Sequence, residues 1–365
     1  MDFAFSPEQE ALRDLAKRIL EDHVTHDRLR TIEASTDWFD DAAWQALADA
    51  QLLGTAVAEE FGGSGLGLVE LCLVLEQVGR TVAPVPAWPT LVLGALPIAE
   101  FGTREQRKEW LPGVVGGETI LTAALAEPNA SDPSCPATTA RRDGTRWRLD
   151  GTKTSVPAIH LAARAVVPAR TDGGVGLFLV DPRGAGITIE RQIATNREPL
   201  GRVTLAGASG ERLAEGAGVV DWLLERALVG LCAVQVGVTD RALRMTAEYT
   251  SGREQFGRPI ASFQAVHQRA ADAYIDVEAI RLTTWQAAWR LGAGRPATTE
   301  IAIAKFWASE GAHRAVYAAQ HLHGGIGVDV DYPLHRYYLW SKRNELTLGS
   351  ATPQLVRLGA ALARG

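Results

Sequence analysis

From about residue 218 onward the sequence is helical in long pieces, and the breaks fall at glycines. Helical runs cover 219–252, 263–292, 297–322, 332–347 and 353–363, with interruptions at Gly252, Gly292-Ala293-Gly294, Gly324-Gly325 and Gly349. Long helices joined by short links fold back on one another, so this part is expected to form an antiparallel, four-helix-type bundle. Its most apolar stretch, Ala227 to Val238, is too short to cross a bilayer and reads as a buried helix.

The preceding residues have two other textures. Residues 1–118 are helical but shorter-ranged. Ser6-Pro7-Glu8-Gln9 sets a hydroxyl cap, a proline in the first turn and a capping-box glutamine, and Leu12, Leu15, Ala16, Ile19 and Leu20 follow at helical spacing. Further helices are expected over Asp41 to Leu53 and Leu68 to Val78, with a glycine loop at Gly62 to Gly67 between them. Thr103-Arg104-Glu105-Gln106 is a second capping box. Residues 119–215 instead show short apolar runs: 120–125, 165–167, 175–180, 187–190 and 203–205. Turn residues separate them, and Asp150-Gly151 reads as a hairpin turn. The expected fold is mainly α with a central β domain: an N-terminal helical domain (1–118), an antiparallel β-barrel-like domain (119–215) and the C-terminal bundle (216–365). No G-x-G-x-x-G follows a strand, so a doubly wound nucleotide fold is excluded.

The chain has 365 residues and a formal net charge of −6, which does not favour nucleic acid as a partner. Cys72, Cys135 and Cys232 are far apart, share no metal-ligand spacing and have small or apolar neighbours. They are expected to be reduced and mostly buried, and no metal site is expected. The N-terminus lacks a basic, apolar leader, which points to a cytoplasmic protein with no membrane span.

Arg253-Glu254-Gln255-Phe256-Gly257-Arg258-Pro259-Ile260-Ala261-Ser262-Phe263-Gln264 is the most informative segment. A helix ends near Gly252, a charged and aromatic turn follows, and Ser262 is placed to cap the next helix. Arg253 and Arg258 carry guanidinium groups suited to phosphate, Phe256 a flat apolar face, and Gln264 an amide able to donate or accept. On composition alone, an ordinary helix–helix corner with salt bridges is the stronger reading. About 60 residues later come Gln320-His321-Leu322-His323-Gly324-Gly325-Ile326-Gly327 and then Asp331-Tyr332-Pro333. His321 and His323, like His267 and His313, are most simply structural or solvent-facing. Trp285, Trp289 and Trp307 lie at helical spacing and read as core or inter-subunit packing.

In order and spacing, these two segments resemble the R-x-x-F-G-x-P-I-x-x-F-Q and Q-x-x-G-G-x-G signatures of the acyl-CoA dehydrogenase superfamily, and the resemblance covers essentially the whole chain. It implies that Arg253, Phe256, Gln264, Gln320, Gly324 and Gly325 reach an FAD shared across a subunit interface. Leu125 to Asp132 resembles the family's T-E-P-G-A-G-S-D loop, which adds Leu125 and Ser131 as cofactor contacts. Gly151-Thr152-Lys153 matches its G-x-K region, and the family's flavin-stacking aromatic falls at Ser155, its hydroxyl partner at Pro157.

The reaction implied is FAD-dependent α,β-dehydrogenation of an acyl-CoA. A carboxylate removes the α proton, and electrons pass on to an electron-transferring flavoprotein. The family carries that carboxylate at one of two positions. Here one is Leu348 and the other, 26 residues before Arg253, is Ala227. The nearest acids are Glu345 and Glu225, and each also reads as a solvated or salt-bridged helix residue. Three readings follow: a dehydrogenase with an unusual base, a non-catalytic or half-site subunit of a heteromeric dehydrogenase such as those of steroid breakdown, or an oxidase or flavin monooxygenase on the same scaffold. An identical or homologous dehydrogenase subunit is the expected partner.

Overall fold

The computed structural model describes residues 4–130 and 132–363. Four helices come first: α1 (Pro7–His23), α2 (His26–Ala34), α3 (Asp41–Asp49) and α4 (Leu68–Thr81). A π-helical segment, Trp88–Ala95, runs into α5 (Leu96–Phe101), and α6 (Arg104–Val115) follows. Both capping boxes form, at Ser6 with Gln9 and at Thr103 with Gln106. Seven strands come next: β1 (Leu121–Ala123), β2 (Thr139–Asp143), β3 (Arg146–Pro157), β4 (Arg164–Thr171), β5 (Gly174–Val180), β6 (Ile187–Ile193) and β7 (Pro199–Glu215). The rest is α7 (Val219–Gly252), a small hairpin of β8 (Glu254–Gln255) and β9 (Arg258–Pro259), then α8 (Gln264–Gly292), α9 (Thr298–His323), α10 (Leu334–Leu346) and α11 (Ala351–Leu362). The helix–strand–helix order and the glycine-punctuated helices match the sequence reading closely.

Packing density divides the chain into two compact units. One comprises Leu29–Gly67 and Pro84–Ala227. Its strands β4, β2, β3, β7 and β5 close into a ring, with β6 paired to β7 and β1 to β4. Most pairings are antiparallel, but β1 and β2 run parallel to β4. The 17-residue β7 makes closure possible: its first part pairs with β3 and β6, its last part with β5. Inward residues alternate along the strands and meet in a core that includes Leu149, Val156, Val167, Phe178 and Leu205.

Asp150-Gly151 is not a turn. It lies inside β3 at a register shift against β7, where the Asp150 carboxylate accepts the Gly207 N–H at 2.8 Å. A Cβ on Gly151 would stand 2.5 Å from Thr138 Oγ1, so the glycine serves close approach. The hairpin instead turns at Gly144-Thr145, between the paired Asp143 and Arg146.

The other unit comprises Met1–Arg28, Leu68–Ala83 and Leu228–Gly365. α4 and α7 meet at glycines: a Cβ on Gly79 would lie 1.9 Å from the Val234 carbonyl, and one on Gly237 1.9 Å from that of Glu76. Beside this contact, the Asp240 carboxylate accepts from Arg80, Arg244 and Arg281, each at 2.8 Å. The three guanidinium groups more than offset burial and hold its carboxyl below the usual range. Cys72 and Cys232 are buried as expected. Cys135 is exposed, because it follows an irregular loop rather than a packed strand. No helix among the described residues is long and apolar enough to cross a membrane.

Candidate functional site

The bundle unit presents the Arg253 segment as a projecting hairpin. Gln255 pairs with Arg258 across a two-residue turn in which Phe256 has φ +55° and Gly257 φ +75°. Two successive left-handed residues make the turn whose twist suits a tight hairpin, and glycine takes the second place without strain. Phe256 takes the first, where an L-residue is disfavoured by roughly 1–2 kcal/mol. Its ring is also 91% exposed. The fold thus holds an aromatic side chain out in solvent at the cost of both backbone strain and lost burial. Arg253 is exposed, and its guanidinium has no hydrogen-bond partner among the described residues. Arg258 lies over the Phe263 ring at 4.2 Å. Gln264 opens α8, exposed. Ser262 is not the cap: its hydroxyl donates to the Pro259 carbonyl at 2.7 Å, and Phe263 occupies the cap position.

The glycine bend follows directly on α9. Gly324 has φ +64°, and both Gly324 and Gly325 are exposed with open space where a Cβ would stand. Gln320 is turned inward beneath the bend, beside Gly327, and its buried amide atoms have no hydrogen-bond partner. His321 is exposed and His323 is buried. The His323 ring stacks on Tyr249 at 4.5 Å, one helical turn before Arg253, so the glycine bend and the Arg253 hairpin are held next to one another. Sequence reasoning quoted His323 and Tyr332 but missed Tyr249. No spacing in the sequence marks that contact, because Tyr249 and His323 lie on different helices.

In the barrel unit, Leu125 is buried and Ser131 lies outside the described residues. The loop between them is anchored by Glu127. Its carboxylate accepts from Lys153 Nζ at 2.7 Å, from the Thr138 hydroxyl at 2.6 Å and from the backbone N–H groups of Ala137 and Thr138. Lys153 is fully buried and also donates to the Pro168 carbonyl. Ser155 is exposed with φ +53°, its N–H on Gln192 Oε1 at 3.1 Å. The Pro157 carbonyl accepts from Thr122 at 2.6 Å.

The two positions that the resemblance assigns to the base, Leu348 and Ala227, carry no acid. Leu348 lies beyond the end of α10 with φ +56°, so it shares no helical face with Glu345. The Glu345 carboxylate is committed to Lys342 Nζ at 2.5 Å and lies 3.7 Å from His313. Ala227 is fully buried, and its carbonyl accepts the Trp88 indole N–H at 3.0 Å. Glu225 sits beside Arg226, whose guanidinium stacks on Trp222 at 3.7 Å. His267 is exposed on α8. Trp285 is buried against Phe5, Trp289 stands under Arg295, and Trp307 packs with Phe306 and Arg314. No cluster of His, Cys, Asp or Glu among the described residues is arranged to hold a metal.

The acyl-CoA dehydrogenase N-terminal domain model matches residues 6–118, and the C-terminal domain model matches 214–363. Acyl-CoA dehydrogenase FadE27 of Mycobacterium tuberculosis is 40% identical, across 100% of this chain and 99% of the relative. The chain belongs to the acyl-CoA dehydrogenase family. Among solved structures, the Tcur3481-Tcur3483 steroid ACAD is 49% identical with a TM-score of 0.94, covering 98% of each chain. The ChsE4-ChsE5 complex from Mycobacterium tuberculosis is 40% identical with a TM-score of 0.95, covering 100% of each. Family members are oxidoreductases acting on CH–CH groups.

Set against that family's cofactor, the two units differ. The bundle offers an unpaired guanidinium, an exposed ring and an open glycine backbone, which suit a dinucleotide pyrophosphate and an aromatic base. In the barrel, the position that the resemblance gives to a stacking aromatic is Ser155, whose side chain is too small to supply such an area.

Proposed function

We propose that this chain is the base-lacking subunit of a heteromeric, FAD-dependent acyl-CoA dehydrogenase. The observation that carries the reading is a contrast: the cofactor hairpin and glycine bend are complete and exposed, while both base positions are apolar. Arg253 then neutralises the FAD pyrophosphate, Phe256 packs on the cofactor, and Gly324 and Gly325 admit close backbone approach. When bound, FAD would supply the redox chemistry, that of a hydride acceptor that can be reoxidised by an electron-transferring flavoprotein. This chain's residues hold and orient it, while a carboxylate of the homologous subunit removes the α proton. The likeness to a steroid ACAD at 49% identity supports a steroid-derived acyl-CoA as the substrate, and we assign the complex to the cytoplasm.

The test is purification from the native host, with Arg253→Ala alongside. A homologous dehydrogenase subunit is expected to co-purify, and FAD to be retained. Arg253→Ala removes a charge-assisted phosphate contact and should weaken FAD binding by roughly 1.5–3 kcal/mol, about ten- to a hundredfold. Unchanged flavin occupancy in that variant would sink the assignment. Hydrogen peroxide formation on turnover would indicate an oxidase instead.

A further inference from the structure

Two features of the cofactor-facing surface are poorly suited to holding a shape on their own. The Arg253 hairpin is exposed at every residue from Arg253 to Arg258, and the bend at Gly324-Gly325 has no side chains to pack. Recognition of a phosphate by a guanidinium and backbone groups gains from their being fixed beforehand, because each freely rotating group must otherwise be ordered on binding. Beneath these features lie three aromatic side chains from three segments. Tyr249 is on the last turn of α7, and its carbonyl accepts the Arg253 N–H at 2.8 Å. His323 ends α9, immediately before Gly324, and is 4% exposed. Tyr332 lies between the glycine bend and α10.

The ring planes of Tyr249 and His323 are 17° apart at 4.5 Å, and Tyr332 meets Tyr249 edge-on at 6.3 Å. The hydrogen bonds fix the tautomer. His323 Nδ1 is 2.8 Å from the Ala319 carbonyl, which can only accept, so Nδ1 carries the proton. Burial keeps the imidazole below its ordinary pKa, so Nε2 is bare and accepts from the Tyr332 hydroxyl at 3.1 Å. Burial also keeps that phenol protonated and able to donate. A phenylalanine at 323 would give the stack alone; histidine adds bonds to its own helix and to the segment beyond the bend.

We propose that His323 is a positioning residue that locks the glycine bend and the Arg253 hairpin into one preformed cofactor-binding surface, through Tyr249 on one side and Tyr332 on the other. The inference rests on the FAD reading above and deepens it: His323 touches no cofactor and acts through the two elements that do.

The experiment measures FAD affinity and thermal midpoint together on the assembled oligomer, by flavin titration of deflavinated protein. Variants are His323→Phe, Tyr332→Phe, their double, His323→Ala and Arg253→Ala. His323→Phe keeps the stack and loses the hydrogen bonds; Tyr332→Phe loses one of them. Tyr332→Phe is expected to weaken FAD about three- to tenfold, the worth of one such bond, His323→Phe at least as much, and the double no more than His323→Phe alone. His323→Ala should be weaker still, with His323→Phe recovering part of the loss. Lower thermal midpoints with FAD affinity unchanged in the two phenylalanine variants would overturn the proposal, leaving His323 a purely structural residue. Those two variants decide the matter even if His323→Ala does not fold. If Arg253→Ala weakens FAD and the phenylalanine variants do not, this inference alone falls. If none of them changes FAD affinity, the cofactor reading falls with it.

Discussion

Glu127 and Lys153 show how one buried ion pair can organise a loop. Burial raises the pKa of a carboxyl, yet Lys153 and Thr138 more than offset it and hold Glu127 at about 2. A folded value below the ordinary 4.5 means that the carboxylate stabilises the protein fully above that pH. The contribution is lost as pH falls towards 2. Thermal midpoints of Glu127→Gln should therefore converge on those of the native chain between pH 4.5 and 2; an undiminished gap at the acid end would refute the assignment. Lys153→Met strands the carboxylate and should cost about 3–5 kcal/mol, with Glu127→Gln in the same chain recovering part of it. The acids near the base positions call for the opposite expectation. Glu345 is held by Lys342 and Glu225 sits beside Arg226, so Glu345→Gln and Glu225→Gln should each leave most turnover intact. A fall of several orders of magnitude in kcat for either would identify it as the base and restore a self-sufficient dehydrogenase.

At the scale of elements, α10 ends against an unusual donor. Lys305, 1% exposed on α9, donates to the carbonyls of Asn344 and Glu345 and to the Ser309 hydroxyl. A positive charge at a helix C-terminus is favourable, but burial wins and pulls this lysine down to about 8. Between that value and the ordinary 10.5 the unfolded chain binds more protons, so stability gains a term that rises with pH. Lys305→Met should abolish that rise in denaturant midpoints measured from pH 8 to 10.5; an unchanged slope would show that Lys305 is not its source. The sequence showed α9 and α10 by their periodicity and breaks, and both capping boxes by residue type alone. It could not show that a lysine of one helix closes the end of another, since nothing in spacing marks a contact 39 residues away. Asp150-Gly151 misled for a related reason. Local chemistry suits a turn and a bulge equally, and the choice between them was made by Gly207 and Thr138, which are remote in sequence. The Arg253 hairpin and the glycine bend were legible because each is a continuous segment; their link through Tyr249 was not.

At the scale of the whole molecule, the cofactor contacts proposed above are supplied unequally by the two units, each taken by itself. The bundle holds the exposed hairpin proposed as an arm for the dinucleotide, with Phe256 91% exposed at its tip. In the proposed reading the barrel has Ser155 in place of a stacking ring, and the two positions assigned to the base are Leu348 and Ala227. If each FAD needs an arm from one subunit and a stacking barrel from another, only the barrel of the homologous subunit qualifies. A complex of equal numbers of the two subunits should then hold about one FAD for every two chains, since flavin stacking is worth on the order of 0.5–1.5 kcal/mol beyond the area buried and has no substitute at a serine. Absorbance of released flavin against subunit mass measures this directly. A ratio of one per chain would mean that this barrel binds flavin by other contacts, and the division of labour between subunits would be wrong. The same asymmetry bears on Phe256→Ser. Removing this exposed aromatic costs the isolated chain little, because only an edge-on contact with Phe263 at 6.2 Å is lost, but it should weaken both FAD retention and subunit association if the ring is covered only in the complex. Analytical ultracentrifugation of the paired subunits separates the cases: an association constant unmoved by Phe256→Ser would place the ring outside the interface, and the arm would have to reach its cofactor by some other route.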